Sequence, residues 1–167
     1  HYKKKRENHP DAQRRKSLGV GMAEDGGNLV LRNALRVGQP GDGSCLFHSR
    51  DCGLRTCGRQ RIGAHRLRRE LASWTAQNSS FKIEGTPLKE WIKWDAMCGV
   101  KQYARKMCSG AWGGGIEMAA FSHKMRLNVH VYEQCKGGRY KRISCFNVKG
   151  NSETVHILYC GRVHFDA

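Results

Sequence analysis

The sequence predicts an α+β domain in which helices come first and a mostly antiparallel sheet follows. Three observations carry this. Apolar residues recur at helical spacing between residues 62 and 125. Leu127, Val129 and Val131 then alternate with Asn128, His130 and Tyr132, the period of a strand. Beyond them, Gly137-Gly138, Asn151-Ser152 and Gly161-Arg162 divide the chain into short apolar runs, as turns divide strands.

The elements follow in order. Ala34, Leu35, Arg36 and Val37 read as a short strand ended by Gly38 and Pro40. A Gly-rich turn leads to a short helix near 45–52, and residues 53–60, with two glycines, read as a loop. From 62 to 77, Ile62, Leu67, Leu71 and Trp74 form the apolar face of a helix with arginines opposite. Thr86 is the expected N-cap and Pro87 the first residue of the next helix, with Leu88, Trp91 and Ile92 on its buried side. Val100, Tyr103, Ala104 and Met107 mark a further amphipathic helix. Trp112 and the glycines after it break the pattern. Glu117 then sits in the first turn of a helix carrying Ile116, Ala119, Ala120 and Phe121, where a carboxylate suits the positive end. Strands are expected at 140–148, at 154–160 and in a last short run bearing His164. Trp74, Trp91 and Trp94 read as core or helix-packing residues, and there is no internal repeat.

A length of 167 residues suits one domain, here 29–167, preceded by a basic tail or linker at 1–28. No apolar run reaches the roughly 18 residues of a membrane-spanning helix. The basic start carries no apolar stretch behind it that would serve as a signal peptide, and it begins with His, as expected for a piece or processed product of a longer chain. The eight cysteines read as free, partly buried thiols of a reducing compartment, because most fall inside regular elements. Cys52 and Cys57 have a loose metal-like spacing, but no His/Cys set completes a zinc site, so no metal is expected. The net charge of +16 is concentrated in Lys3–Arg6 with Arg14, Arg15 and Lys16, and in Arg50, Arg55, Arg59, Arg61, Arg66, Arg68 and Arg69. Such density suits nucleic acid, an anionic membrane surface or an acidic protein face, or simply a solvated surface.

The chemistry lies in two distant segments. In Gly41-Asp42-Gly43-Ser44-Cys45-Leu46-Phe47-His48, a cysteine follows a tight turn and opens a helix, where backbone N–H groups and the dipole favour negative charge on sulfur. The small residues Gly43 and Ser44 let their amides turn inward beside that of Cys45 as oxyanion donors. Near the other end, His164 is followed by Asp166. Residues i and i+2 of a strand share a face, so Asp166 can hold the His164 ring in one tautomer. Cysteine, histidine and acid form a nucleophile, a base and its orienting partner. His48, one helical turn after the cysteine, is a rival base. His65, His123 and His130 read as partly exposed, and His156 as a satisfied strand histidine.

The chain resembles the ovarian-tumour (OTU) cysteine proteases, most of which are deubiquitinases. The resemblance rests on the Gly41–His48 block, on Trp112-Gly113-Gly114-Gly115-Ile116-Glu117, on Val129-His130-Val131-Tyr132, and on His156-Ile157-Leu158-Tyr159 with His164-Phe165-Asp166. The blocks keep the family's order and cover residues 34 to 167. It implies a papain-like OTU fold, a central mostly antiparallel sheet flanked by helices. It implies Cys45 as nucleophile, His164 as base and Asp166 as its orienting acid, with Asp42 matching a family acid often assigned to the catalytic group and read here as organising the oxyanion loop. Trp112, Gly113 and Gly114 resemble the border of the channel for the Gly-Gly tail of ubiquitin. Ser44 stands where asparagine is usual. The implied activity is hydrolysis of isopeptide bonds after the last glycine of ubiquitin, polyubiquitin or a ubiquitin-like modifier. The enzyme is expected to be a monomer without cofactor, in the cytoplasm or nucleus, or in the host-cell cytoplasm for a viral source. The modifier's tail bears arginines, for which Glu117, Glu133 and Asp95 are the candidate acids. Rival readings are a basic nucleic-acid-binding module on an inactive scaffold, and a protease that processes a polyprotein.

Overall fold

The computed structural model describes residues 29–32, 34–161 and 163–167, so the 1–28 tail lies outside the described residues. A five-stranded sheet has the order β1-β5-β4-β6-β7, built from β1 (Val30–Leu31), β4 (Asn128–Cys135), β5 (Arg139–Phe146), β6 (Thr154–Cys160) and β7 (His164–Asp166). β4 and β6 run parallel and every other neighbouring pair runs antiparallel, so the sheet is mixed but mostly antiparallel. The helices α1 (Cys45–Thr56), α2 (Ala64–Gln77), α3 (Leu88–Ala96), α4 (Val100–Cys108) and α5 (Gly115–Met125) precede the four C-terminal strands. A two-stranded ribbon of β2 (Lys82–Ile83) and β3 (Thr86–Pro87) lies between α2 and α3.

One face of the sheet makes the core. Val129 and Val131 of β4 and Val155 and Ile157 of β6 pack with Leu46, Phe47 and Leu54 of α1, Leu67 and Leu71 of α2, and Ile116 and Phe121 of α5. β4, the middle strand, alternates over its first half, as a strand with one covered face requires, while β6 beside it carries a nearly continuous apolar run. Among the described residues no helix is long and apolar enough to cross a membrane.

Several local expectations are corrected. Residues 34–37 are not a regular strand. Thr86 and Pro87 pair with Ile83 and Lys82, so the helix starts one residue later, with Pro87 as N-cap at ψ 144°. Trp94 does not pack in the core; it is 59 % exposed and meets Trp91 edge-on.

The helix after the nucleophile turn runs to Thr56, through Gly53, which the sequence reads as loop. Gly53 is where α1 touches the sheet: a Cβ there would stand 2.3 Å from Cγ1 of Val155. Glycine in a helix costs about 0.5–1 kcal/mol relative to alanine, but the contact reverses the preference here. Gly53→Ala is expected to destabilise the fold by about 1–3 kcal/mol through overpacking. Denaturant unfolding would read this, and a gain in stability would show that α1 does not rest on β6.

The arginine-rich stretch is not one basic surface. Arg50 and Arg68 are buried. Arg59 pairs with Glu153, Arg61 with Asp51 and Arg66 with Glu70. Arg55 and Arg69 are left exposed with no acidic partner among the described residues. Arg50 lies against the Phe47 and Phe121 rings and donates to the Glu117 carbonyl at 2.9 Å. Burial pushes its guanidinium down to about 9, so it remains a cation at neutral pH. None of the eight cysteines forms a disulfide.

Candidate active site

Cys45 is the first residue of α1, so its amide has no intrahelical acceptor. Gly43 takes φ +79°, a left-handed conformation that glycine adopts without penalty, and this aims the chain into the helix. Asp42 closes the turn. One of its oxygens accepts the Ser44 N–H at 2.9 Å and the other lies 2.9 Å from Nε2 of His48. The His48 bond first, and the Ser44 amide second, hold the Asp42 carboxyl below the usual carboxylate range. His48, the rival base, has a carboxylate partner of its own in Asp42. One expectation changes. The Ser44 amide, expected among the oxyanion donors, is occupied, and the Gly43 and Cys45 amides are left for that task.

His164 opens β7, and its Nε2 lies 2.9 Å from Oδ1 of Asp166. Both residues lie on the same face of the strand. Asp166 is fully buried. Its Oδ1 also accepts the Gln39 N–H at 2.7 Å. Its Oδ2 accepts Nε and Nη2 of Arg36, each at 2.7 Å, and lies 3.4 Å from the Cys160 sulfur. Burial alone would push this carboxyl up, but the donors, led by the Gln39 amide and His164, outweigh it and hold it below the usual range. The Cys160 thiol moves the other way, pushed up by burial and then by Asp166, so it stays a neutral donor.

Packing and pairing bring the two segments together. α1 lies against β6 and β7. Just before the nucleophile turn, Val37 exchanges two backbone bonds with Ala167, at 2.7 and 3.1 Å, beside the Gln39–Asp166 bond. The chain entering the turn is thereby laced to the end of the strand that carries His164. With Nε2 held by Asp166, Nδ1 is the ring nitrogen left for a thiol.

Trp112 flanks the turn. It is 65 % exposed, and its indole nitrogen lies 3.9 Å from where a Gly43 Cβ would stand. Gly113 is pressed on α1, since a Cβ there would sit 2.9 Å from Leu46. Gly114 donates its N–H to Glu117 at 2.6 Å. Glu117 is itself buried and accepts the Tyr103 hydroxyl, so it cannot meet a substrate arginine as the sequence suggested. Arg36, Gln39, Arg68 and Cys160 escaped the sequence reading. A contact across 130 residues, such as Arg36–Asp166, leaves no local periodicity to find. Among the described residues no group of three His, Cys, Asp or Glu side chains is placed to hold a metal ion.

Comparison with known proteins agrees with this architecture. Residues 40–162 match the family model of OTU-like cysteine proteases. The chain is 27% identical over 144 residues to the OVARIAN TUMOR DOMAIN-containing deubiquitinating enzyme 4 of Arabidopsis thaliana, an alignment covering 84% of this chain and 45% of that protein. The chain therefore spans less than half the length of that relative. Among solved structures, the Hazara virus OTU bound to ubiquitin superposes with TM-score 0.61 at 23% identity, over 84% of this chain and 85% of that one. An OTU deubiquitinase from Wolbachia pipientis wMel gives TM-score 0.55 at 25% identity, over 79% and 85%. The fold, a mixed sheet with helices on its apolar face, is the OTU fold. With that fold and a family match that runs from the nucleophile turn to the end of β6, the chain belongs to the OTU-like cysteine proteases.

Proposed function

We propose that this domain is a thiol isopeptidase that releases ubiquitin, or a ubiquitin-like modifier, from lysine side chains. The observation that carries the reading is the buried Asp166 carboxylate holding Nε2 of His164 on a strand packed against the helix that Cys45 opens. Nδ1 of His164 takes the Cys45 proton. The sulfur attacks the carbonyl carbon of the modifier's last glycine, and the Cys45 and Gly43 amides hold the oxyanion. Collapse breaks the C–N bond as His164 returns its proton to the departing lysine amine. Water, deprotonated by His164, then attacks the thioester; the acid leaves and the thiolate is re-protonated.

Support for the substrate comes from relatives described as deubiquitinating or as bound to ubiquitin. Trp112, standing exposed beside the nucleophile turn, suits the wall of a channel for an extended Gly-Gly tail. For the tail's arginines, Glu133 and Asp95 remain as candidate acids once Glu117 is removed.

The test is turnover of ubiquitin carrying a fluorogenic group on its C-terminal carboxyl. Wild-type protein should release the fluorophore, and Cys45→Ala should lose about 10⁵–10⁶-fold in rate, the scale of removing a protease nucleophile. An inactive, folded wild type, or activity that survives Cys45→Ala, would overturn the proposal.

A further inference from the structure

Arg68 is buried in α2, far in sequence from both catalytic segments, yet its side chain ends beneath the nucleophile turn. Nη2 donates to the Gly43 carbonyl at 2.7 Å and lies 3.1 Å from Oγ of Ser44. Nη1 donates to the Ala111 carbonyl at 2.6 Å and the Met107 carbonyl at 3.0 Å. The guanidinium carbon stands 4.2 Å over the Phe47 ring, in the first turn of α1. One planar cation thus joins the turn that presents Cys45, the last turn of α4 and the segment that leads into Trp112. No carboxylate among the described residues bonds it. Carbonyls and a hydroxyl satisfy it, which suits the delocalised, weakly hydrated guanidinium far better than a lysine ammonium.

The geometry of the peptide unit gives this arrangement a purpose. In a trans peptide the C=O and the N–H of one plane point in opposite directions. The Gly43 carbonyl is held by Arg68 and the Ser44 N–H of the same plane is held by Asp42. Gripped at both ends, the plane cannot rotate, and the amides on either side of it, those of Gly43 and Cys45, keep fixed directions. These are the groups left to bind an oxyanion. Gly43, at φ +79°, would otherwise be the most mobile point of the turn.

We infer that Arg68 is the positioning residue of the oxyanion loop, acting with Asp42 by locking the Gly43–Ser44 peptide plane; the inference rests on the isopeptidase reading of the same site. Arg68 touches no reacting atom. Its loss disturbs the transition state and leaves the thiol in place.

The test compares two reactions of one thiol. Acyl transfer from the fluorogenic ubiquitin needs the oxyanion donors. Alkylation of Cys45 by iodoacetamide is a displacement at a saturated carbon and needs none. Arg68→Lys keeps the charge and loses the two-armed grip. It is expected to lower kcat about 10- to 100-fold, with the alkylation rate within about twofold of wild type. Asp42→Ala releases the other end of the plane from a solvent-facing position. It should show the same split, so the inference stays testable should Arg68→Lys fail to fold. The double variant should lose less than the product of the two single losses, because both grip one plane. An unchanged kcat in the folded variants, or alkylation falling in step with kcat, would overturn the inference while leaving an active wild type to sustain the isopeptidase reading. A wild type inactive on ubiquitin overturns both.

Discussion

Asp166→Asn should lower kcat/KM for hydrolysis at the ubiquitin C-terminus by about 10²- to 10⁴-fold, the range seen when a catalytic histidine loses its orienting carboxylate. The reason lies in the donor count around Asp166. Both oxygens accept: Oδ1 from the Gln39 amide and His164, Oδ2 from Nε and Nη2 of Arg36. An asparagine offers one acceptor oxygen and one NH₂. If the oxygen faces His164, the NH₂ is driven against Arg36. If it turns over, the NH₂ meets the Gln39 N–H and selects the His164 tautomer whose proton sits on Nδ1, the nitrogen that must accept the thiol proton. Steady-state kinetics with the fluorogenic substrate would measure the loss. An effect below about threefold would mean that the ring is oriented by something other than Asp166.

The largest effect on stability is expected at Asp51, which sits in the middle of α1 and is buried. It accepts the N–H groups of Ile62 and Gly63 at 2.7 and 2.8 Å and Nε of Arg61 at 2.8 Å. Those bonds tie the nucleophile helix to the start of α2, the helix that carries Arg68. Asp51→Ala removes three hydrogen bonds to a charged group, each worth about 1.5–3 kcal/mol, and water replaces part of them at the half-buried Ile62 and exposed Gly63 amides, so a loss of about 3 kcal/mol is expected. For a domain of this size that lowers Tm by about 6–12 °C. Burial alone would raise the Asp51 carboxyl, but the Gly63 amide, Arg61 and the Ile62 amide outweigh it, so its folded pKa lies below the ordinary value. Its contribution as a carboxylate is therefore complete above the unfolded pKa of about 3.9 and fades as pH falls through the lower folded value. The stability gap between wild type and Asp51→Ala should be constant near neutrality and narrow in acid. A gap that widened in acid would contradict the assignment.

Much of this was legible in the sequence, for local reasons. Helices with a continuous apolar face, such as Val100–Cys108, and the alternating Asn128–Cys135 strand declare themselves through periodicity. The nucleophile turn and the His164–Asp166 pair declare themselves because their chemistry needs fixed spacings of one to three residues. What escaped depends on tertiary contact. Gly53 looks like a loop residue until Val155 is placed against it. Arg50 and Arg68 look like surface charge until α1 and α2 are packed together. The Ser44 amide looks free until Asp42 folds back onto it. Residues 34–37 look like a strand, and they do run beside Ala167, but a single paired residue makes no ladder.

The central claim is that Cys45 is the thiol that attacks the C-terminus of ubiquitin. Ubiquitin bearing a C-terminal electrophile tests it directly, read by intact-mass and peptide mass spectrometry. The expected result is a single covalent ubiquitin adduct mapping to Cys45, slowed in His164→Ala and absent in Cys45→Ala. Folded wild-type protein that forms no adduct, or an adduct on another of the eight cysteines, would contradict it.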